Sequence, residues 1–369
     1  MKNFIHRKIL AIAEDRLMGF QEDPIAEIAR KTRLNSSVVI QSIQEMMRAG
    51  VIRRVRQTLA THHLTEGALI AWEIPETKLR RAFELLSKKD SATGHVVIRS
   101  SERDDVFKKF RLWTTLKSPH DLSLKCHADF LKKRIGAKQY FLLPARGIFV
   151  LSVGHIRRAN MALDSKSPHP VRMQMPKKIR LSRREWKILE IIQREFQPEE
   201  IQKNLWQKRA EKKGIAWDFF LKQARNLEKK DVFGKFSVFL NPARVLGKKT
   251  ASALFVWSIP NGWEEKAGRK IGRFQKFTHC YWRAAHEGLL HINLMGIAHG
   301  ENKAELKKLK NIVDAHLLKK KIPCAYSNLL WSERSAIKPS EWRQYKKVRV
   351  VNSSPCRIQG RAKRDLRRG

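Results

Sequence analysis

The sequence is short of acidic residues, of cysteine and of long apolar runs, and each shortage excludes a class of protein. Asp and Glu together number 35 against 77 Lys and Arg, which gives a formal net charge of +42 over 369 residues. A chain this basic is expected to meet an anionic partner, such as a nucleic acid, a membrane surface or a ligand rich in carboxylates. The charge excludes the near-neutral surface of an ordinary cytosolic enzyme.

The few cysteines are scattered, and they form no CxxC pair. They are Cys126, Cys280, Cys324 and Cys356. This spacing argues against a zinc ribbon, a redox motif and a disulfide framework, and it favours a reducing cytoplasm. The first apolar stretch, residues 9–13, is too short for a signal peptide. No stretch reaches the roughly 18 apolar residues of a membrane span. We therefore predict a cytoplasmic protein without a membrane partner.

What the chain has in abundance is internal repetition. "ALIAWEIP" at 68–75 returns as "ALFVWSIP" at 253–260, and "GHVVIR" at 94–99 returns as "THCYWR" at 278–283. "RLWTTLK" at 111–117 corresponds to "NLMGIAH" at 293–299, so the offset drifts only from 185 to 182 residues. An ordered series of matches at a near-constant offset indicates tandem duplication.

Each repeat begins with a helical pattern. In the first repeat, apolar residues recur at helical spacing, Asp23-Pro24 starts the second of three helices, and "VIRRV" at 51–55 has the pattern of a strand. The second repeat follows the same series and ends in a strand at 232–240. Three helices and a short strand are typical of a winged helix-turn-helix module.

The larger part of each repeat predicts strands and helices in the order βαββαβ. The strands are predicted at 68–74, 94–99, 110–116 and 139–143, and again at 252–259, 278–283, 290–298 and 323–330. This is the ferredoxin-like order. The predicted fold class is therefore α+β, a tandem duplication of a winged helix-turn-helix and a ferredoxin-like domain. The predicted boundaries are 1–58 and 181–240 for the helical modules, 59–163 and 241–345 for the ligand domains, 164–180 for a linker, and 346–369 for a disordered basic tail.

This layout resembles the Lrp/AsnC regulators, and two features resemble a narrower branch of them, the siroheme decarboxylases. "FTHCYWR" at 277–283, followed by "HINLMGIAHG" at 291–300, is similar to the histidine-tyrosine-arginine segment and the Asn-Leu strand of that family. The ends of the two halves, 141–158 and 328–350, resemble the C-terminal segments of the family's paired subunits. The chain therefore resembles a fusion of two such subunits, whose ligand domains should pack together as an internal pseudo-dimer.

The resemblance implies an enzyme that removes carbon dioxide from two acetate side chains of siroheme. It implies no cofactor and no metal site of its own, because the iron belongs to the tetrapyrrole substrate. A His and an Arg four residues apart on a strand point to one face, and a histidine suits the proton donor that such a reaction needs. We assign the catalytic role to His279. The expected substrate-binding residues are Arg283, Tyr281, His291, His299, His95, Arg99 and Arg111. Repeat one carries Val96 and Val97 beside His95, so we expect the better-formed site in repeat two.

Two other functions are compatible with the sequence. A DNA-binding regulator would use the third helix, at 35–50, as its recognition helix, and the net charge of +42 suits DNA. The exposed face of that helix is polar but poor in Arg and Lys. The third hypothesis, after the enzyme and the regulator, is a protein that binds or carries a tetrapyrrole without turnover.

Overall fold

A computed structural model describes residues 3–118, 123–152, 154–159, 161–241 and 251–338, so the predicted tail at 346–369 lies outside the described residues. The elements of the first half are α1 (Phe4–Ala13), β1 (Leu17–Met18), α2 (Pro24–Thr32), α3 (Ser36–Arg48), β2 (Ile52–Leu59), α4 (Thr61–Leu64), β3 (Glu66–Glu73), α5 (Glu76–Lys88), β4 (Thr93–Ser101), β5 (Leu112–Ser118), α6 (Leu124–Ile135), β6 (Gln139–Leu151) and α7 (His155–Ala159). Those of the second half are α8 (Arg183–Ile192), α9 (Leu205–Glu211), α10 (Trp217–Lys229), β7 (Phe233–Leu240), β8 (Ala251–Ser258), α11 (Glu264–Gly272), β9 (Phe277–Arg283), β10 (Leu294–Gly300), α12 (Lys303–Lys319) and β11 (Tyr326–Ile337).

The helices that begin the two repeats form one body, which we call the helical layer (residues 4–59 and 183–240). Helix α2 begins where the Asp23-Pro24 pair predicts, and the Asp23 carboxylate accepts the N–H groups of Ile25 and Ala26 at 3.0 Å. Apolar side chains from both repeats, such as Ile43 and Phe220, share a single core. Strand β7 of repeat two lies between β1 and β2 of repeat one. The helical parts are therefore interlocked rather than two separate modules.

The expected βαββαβ order is present in both halves, but the two sheets are not separate. Within the first half the strands pair in the order β6-β3-β5-β4, and within the second in the order β11-β8-β10-β9. The two sheets join edge to edge where β4 pairs with β11 and where β6 pairs with β9. Together the eight strands close into one antiparallel barrel.

Helices cover the outside of the barrel, and a separate apolar cluster fills part of its interior. Helices α5 and α6 pack on the first sheet over a core that includes Trp72 and Ile98. Helices α11 and α12 pack on the second sheet over Trp257 and Cys280. The inward side chains, among them Trp113, form a third cluster drawn from both halves. Within the described residues, no helix has the length and apolar character needed to cross a membrane.

The segment at 164–180, predicted as a linker, runs along the barrel and is hydrogen-bonded to it. Gln174 and Ile148 exchange two backbone hydrogen bonds of 2.8 and 2.9 Å, and the Ser167 N–H donates to the Arg273 carbonyl at 2.7 Å. The side chain of Met173 packs into the same core as α11 and α12. This segment therefore joins the halves as a packed strap, despite its aperiodic sequence.

Candidate functional site

Two strands on opposite sides of the barrel turn matching histidine and arginine side chains inward. On β9, His279, Tyr281 and Arg283 alternate with Cys280 and Trp282, which belong to the outer core beneath the helices. On β4, in the same way, His95 and Arg99 alternate with outward-facing Val96 and Ile98. Because strand side chains alternate between faces, both His–Arg pairs point into the barrel.

The two arginines are buried, with 4% of Arg99 and 8% of Arg283 exposed. Arg283 Nη1 donates to the Leu143 carbonyl at 2.9 Å, and Arg99 Nη1 donates to the Leu330 carbonyl at 3.3 Å and to Ser332 Oγ at 2.9 Å. Each Nε is buried and has no hydrogen-bond partner among the described residues. None of these partners is a carboxylate, so each guanidinium keeps unused donor capacity for an anion.

Burial also changes how readily these groups hold their charge. It lowers the pKa of Arg99 to about 9 and that of Arg283 to about 10, because a charged group loses its hydration there. Both guanidinium groups remain charged at neutral pH. A bound carboxylate would stabilise that charge, so the barrel interior favours an anionic ligand.

The predicted histidines of the two pairs have different surroundings. His279 Nδ1 lies 3.0 Å from Thr278 Oγ1, and its ring stacks at 6.0 Å from the ring of Tyr281. His95 Nε2 lies 2.8 Å from Ser335 Oγ. Burial, and then the charges of Arg99 and His299, lower the pKa of His95 to about 4. His95 is therefore neutral at neutral pH, and His299 lies near it although the two come from different repeats.

Lys117 is an inward-facing cation that the sequence analysis did not select. It lies on β5, and its Nζ donates to Thr61 Oγ1 at 2.7 Å. Burial, with a smaller contribution from Arg56, lowers its pKa to about 8. The alignment of 111–117 with 293–299 already pairs Lys117 with His299, and this was the signal that could have identified it.

Two predicted substrate-binding residues lie away from this group. The Arg111 guanidinium pairs with Glu76 at 2.7 Å on the outside of the barrel, and its Nε donates to the Arg99 carbonyl at 3.3 Å. His291 is exposed and has a left-handed backbone with φ of 53°. The structure therefore brings together His95, Arg99, His279, Tyr281, Arg283 and His299, but neither Arg111 nor His291.

Apolar side chains close the barrel near the arginines. The turn Val106–Lys108 contributes Phe107, and the turn Glu287–Leu289 of the other repeat contributes Leu289. Because β4 and β9 both run towards these turns, Arg99 and Arg283 lie close to the closed end. The histidines lie towards the opposite end. Within the part of the chain that is described, no group of three or more His, Cys, Asp or Glu could hold a metal ion.

These features define a class of protein: two βαββαβ domains of one kind, joined in one chain and closed around a common interior. Residues 64–149 and 247–328 each match the family model of the AsnC-like ligand binding domain. The two matches coincide with the two βαββαβ units, so each unit is similar to that domain.

The chain is a homologue of siroheme decarboxylase, as its resemblance to that family predicts. It is 24% identical over 348 residues to the siroheme decarboxylase of Hydrogenobacter thermophilus, and the match covers 93% of each chain. It also matches the crystal structure of the siroheme decarboxylase NirDL with a TM-score of 0.65 and 20% identity, over 92% of this chain and 96% of the other. The structure of NirDL in complex with an iron-uroporphyrin III analogue matches with a TM-score of 0.64, at the same identity and coverage of this chain, over 95% of the other.

Proposed function

We propose that this protein is a siroheme decarboxylase, which removes carboxyl groups from the acetate side chains of siroheme inside the barrel. The observation that carries the proposal is the pair of buried arginines, Arg99 and Arg283, whose unused donors face an interior that also holds His279. The named function of the homologue is the decarboxylation of a tetrapyrrole that carries several carboxylates, and this interior suits such a ligand.

The proposed reaction balances with one proton for each acetate. The bond between the acetate methylene carbon and the carboxylate carbon breaks, carbon dioxide leaves, and the electron pair stays on the methylene carbon. A proton then converts that carbon into a methyl group. We assign this proton to His279, because it faces the interior and its Nδ1 lies beside Thr278; the ring would supply the proton as imidazolium and become neutral in doing so.

The remaining carboxylates of the substrate need cationic partners. Arg283 and Arg99 can each accept one, since a guanidinium binds carboxylates through several donors. Lys117 is a third inward cation, and it lies towards the end occupied by the histidines. We propose no cofactor of the protein's own, because the iron is part of the substrate.

We also propose that each helical part is a winged helix-turn-helix that supports the barrel and does not read DNA. In α3, the helix that would enter a DNA groove, Gln44 donates to the Ile201 carbonyl of the other repeat at 3.0 Å. Gln41 is bound to Glu45 on the same exposed face, and that carboxylate would repel phosphate. In α10, the corresponding helix of repeat two, the side chain of Phe219 is 39% exposed, whereas a recognition helix would carry polar groups on its exposed face.

The decisive experiment is an anaerobic incubation of the purified protein with siroheme, followed by mass spectrometry. The expected product is lighter by the mass of two carbon dioxide molecules. A tetrapyrrole carrier would bind siroheme, seen as a shift of its Soret band, and return it unchanged. A regulator would leave siroheme unchanged and bind one DNA sequence far more tightly than random duplexes in a gel-shift assay. Either outcome would reject the proposal.

A further inference from the structure

Two buried acidic residues follow α1 and reach from the helical layer to the segment after β6. Glu14 is 1% exposed and Asp15 is 6% exposed. One oxygen of Asp15, Oδ2, accepts hydrogen bonds from Ser152 Oγ at 2.7 Å and from Arg157 Nη2 and Arg158 Nη1 at 3.0 Å. These donors all belong to the segment that follows β6. A buried carboxylate with two arginines therefore fixes that segment to the helical layer.

The same segment is bonded to the first residues of β9. The Ser152 N–H donates to the Thr278 carbonyl at 2.9 Å, and Arg158 Nε donates to the Phe277 carbonyl at 3.3 Å. Lys235 Nζ, from β7 of the helical layer, donates to Ser152 Oγ at 3.0 Å. The two helical parts thus contact, through one serine and one arginine, the strand that carries His279.

The backbone here allows little freedom. Gly154 has a φ of +60°, and a Cβ atom added to it would lie 2.3 Å from Asp15 Oδ2 and 2.6 Å from Arg158 Nη1. A side chain at this position would displace the carboxylate from its partners, so the segment is shaped around Asp15.

The final link of this network reaches the ring of His279. Thr278 Oγ1 donates its hydrogen to the Ile297 carbonyl at 3.1 Å, so its oxygen can only accept from His279 Nδ1, 3.0 Å away. That contact requires a hydrogen on Nδ1. The position of Thr278 depends in turn on its backbone contact with Ser152.

We infer that Asp15 is a positioning residue: through Ser152, Arg158 and Thr278 it holds the start of β9, and with it the ring of His279, in the orientation needed for proton transfer. The inference rests on the proposed function for its effect on turnover, and it gives the helical layer a role in catalysis without any contact with DNA. Proton transfer is sensitive to placement, because a displacement of about 1 Å can cost roughly a hundredfold in rate.

The test compares Asp15→Asn with Glu27→Gln as the matched control. Glu27 is also an acidic residue of the helical layer paired with two cations, Arg30 at 2.7 Å and Lys31 at 3.3 Å, but it makes none of the contacts with the barrel described above. We expect Asp15→Asn to lower kcat by about 10–100-fold while the dissociation constant for siroheme stays within about twofold of its original value. Glu27→Gln should leave both unchanged.

A second arm separates this inference from the proposed function. The ring nitrogens of His279 are observed by ¹⁵N NMR of histidine-labelled full-length protein and assigned by their loss in His279→Gln. Asp15→Asn should shift both resonances, Thr278→Val should shift them in the same direction, and the double variant should add little. If the original protein does not decarboxylate siroheme, the proposed function fails, but these shifts still decide whether Asp15 positions the ring.

The inference is overturned if Asp15→Asn lowers only the melting temperature, with kcat per folded molecule and the His279 resonances unchanged. Should Asp15→Asn not fold, Ser152→Ala removes one link of the same network with a smaller loss of buried charge. It must then reduce kcat and shift the His279 resonances, and unchanged values would likewise overturn the inference.

Discussion

Replacing Arg283 by methionine should weaken substrate binding without lowering the stability of the fold. The substitution keeps an unbranched side chain of similar length but removes the charge and the donors. Among the described residues, the Arg283 side chain makes one hydrogen bond, to the Leu143 carbonyl. Its guanidinium lies over the ring of Tyr281 at 4.7 Å, and its buried Nε has no partner there. A residue retained only for packing would not be expected to leave such a group unsatisfied.

The expected change in stability follows from these contacts. The lost hydrogen bond contributes about 0.5–1.5 kcal/mol, whereas an unsatisfied buried donor costs about 1–3 kcal/mol. An apolar side chain in place of an unpaired buried charge therefore leaves the free energy of unfolding unchanged or raises it by about 1 kcal/mol. Binding loses one charge-assisted contact, which contributes about 1.5–3 kcal/mol, so the affinity for siroheme should fall about 10–150-fold.

The assay combines urea unfolding with titration of the siroheme Soret band for each variant. Arg99→Met is expected to behave in the same way, because its guanidinium also bonds to a backbone carbonyl and keeps an unpartnered Nε. Arg225→Met, which removes an exposed guanidinium paired with Glu22, is the control and should change neither quantity appreciably. A loss of several kcal/mol in stability with unchanged affinity would refute the assignment, because Arg283 would then be a structural residue.

Three further outcomes are expected. His279→Gln should reduce single-turnover product formation by about 10²–10⁴-fold while siroheme binding persists; a near-silent substitution would move the proton donor elsewhere. Burial lowers the pKa of His95 to about 4 in the folded protein. As the pH falls below about 6.5, this histidine therefore takes up a proton in the unfolded chain before it does so in the folded protein, and the free energy of unfolding decreases. His95→Gln should therefore lose less stability than the original protein between pH 7.5 and pH 5 in urea unfolding, by up to about 2 kcal/mol; equal losses would contradict this. Asn293→Ala should lower the free energy of unfolding by about 2–4 kcal/mol without changing affinity, since the Asn293 amide makes two buried hydrogen bonds to the Ile259 backbone; an affinity loss instead would place Asn293 in the pocket.

The repeat offset and the alternation of apolar residues are enough to predict both βαββαβ units, but not how their sheets meet. The final strands were predicted at 139–143 and 323–330, whereas β6 runs over Gln139–Leu151 and β11 over Tyr326–Ile337. The missed portions are the ones that pair with the other repeat. In β6 the change of partner occurs at Pro144, because Pro144 is the last residue paired with β3 and Ala145 the first paired with β9.

The reason is that these portions do not look like buried strands. Pro144 lacks a backbone N–H and Gly147 lacks a side chain, and both argue against a central strand when only sequence is considered. In β11 the residues after Trp331 are mostly exposed and polar. Their strand conformation is stabilised by pairing with β4, a strand that lies far away in sequence. Local propensity cannot report such a partner.

The candidate site likewise has features that follow from the sequence of one strand and features that arise only when the barrel closes. The four-residue spacing within β4 and within β9 is sufficient to place each histidine and arginine on one face. It cannot reveal that Arg99 bonds to Leu330 of repeat two while Arg283 bonds to Leu143 of repeat one. Each half of the pocket is therefore completed by the opposite repeat, and the absence of polar neighbours beside His95 in its own strand says little about the pocket around it.

The two halves of the pocket are nevertheless not equivalent. Lys117 and His299 occupy matching positions in the repeats, and both face inward from strands that follow an apolar turn. Lys117, with a pKa lowered only to about 8, remains largely cationic at neutral pH. His299 lies instead near His95, whose own pKa of about 4 leaves it neutral. A ligand with carboxylates around its rim therefore meets a lysine at one of these two positions and a histidine at the other, so its two orientations differ in energy even though both arginines face inward.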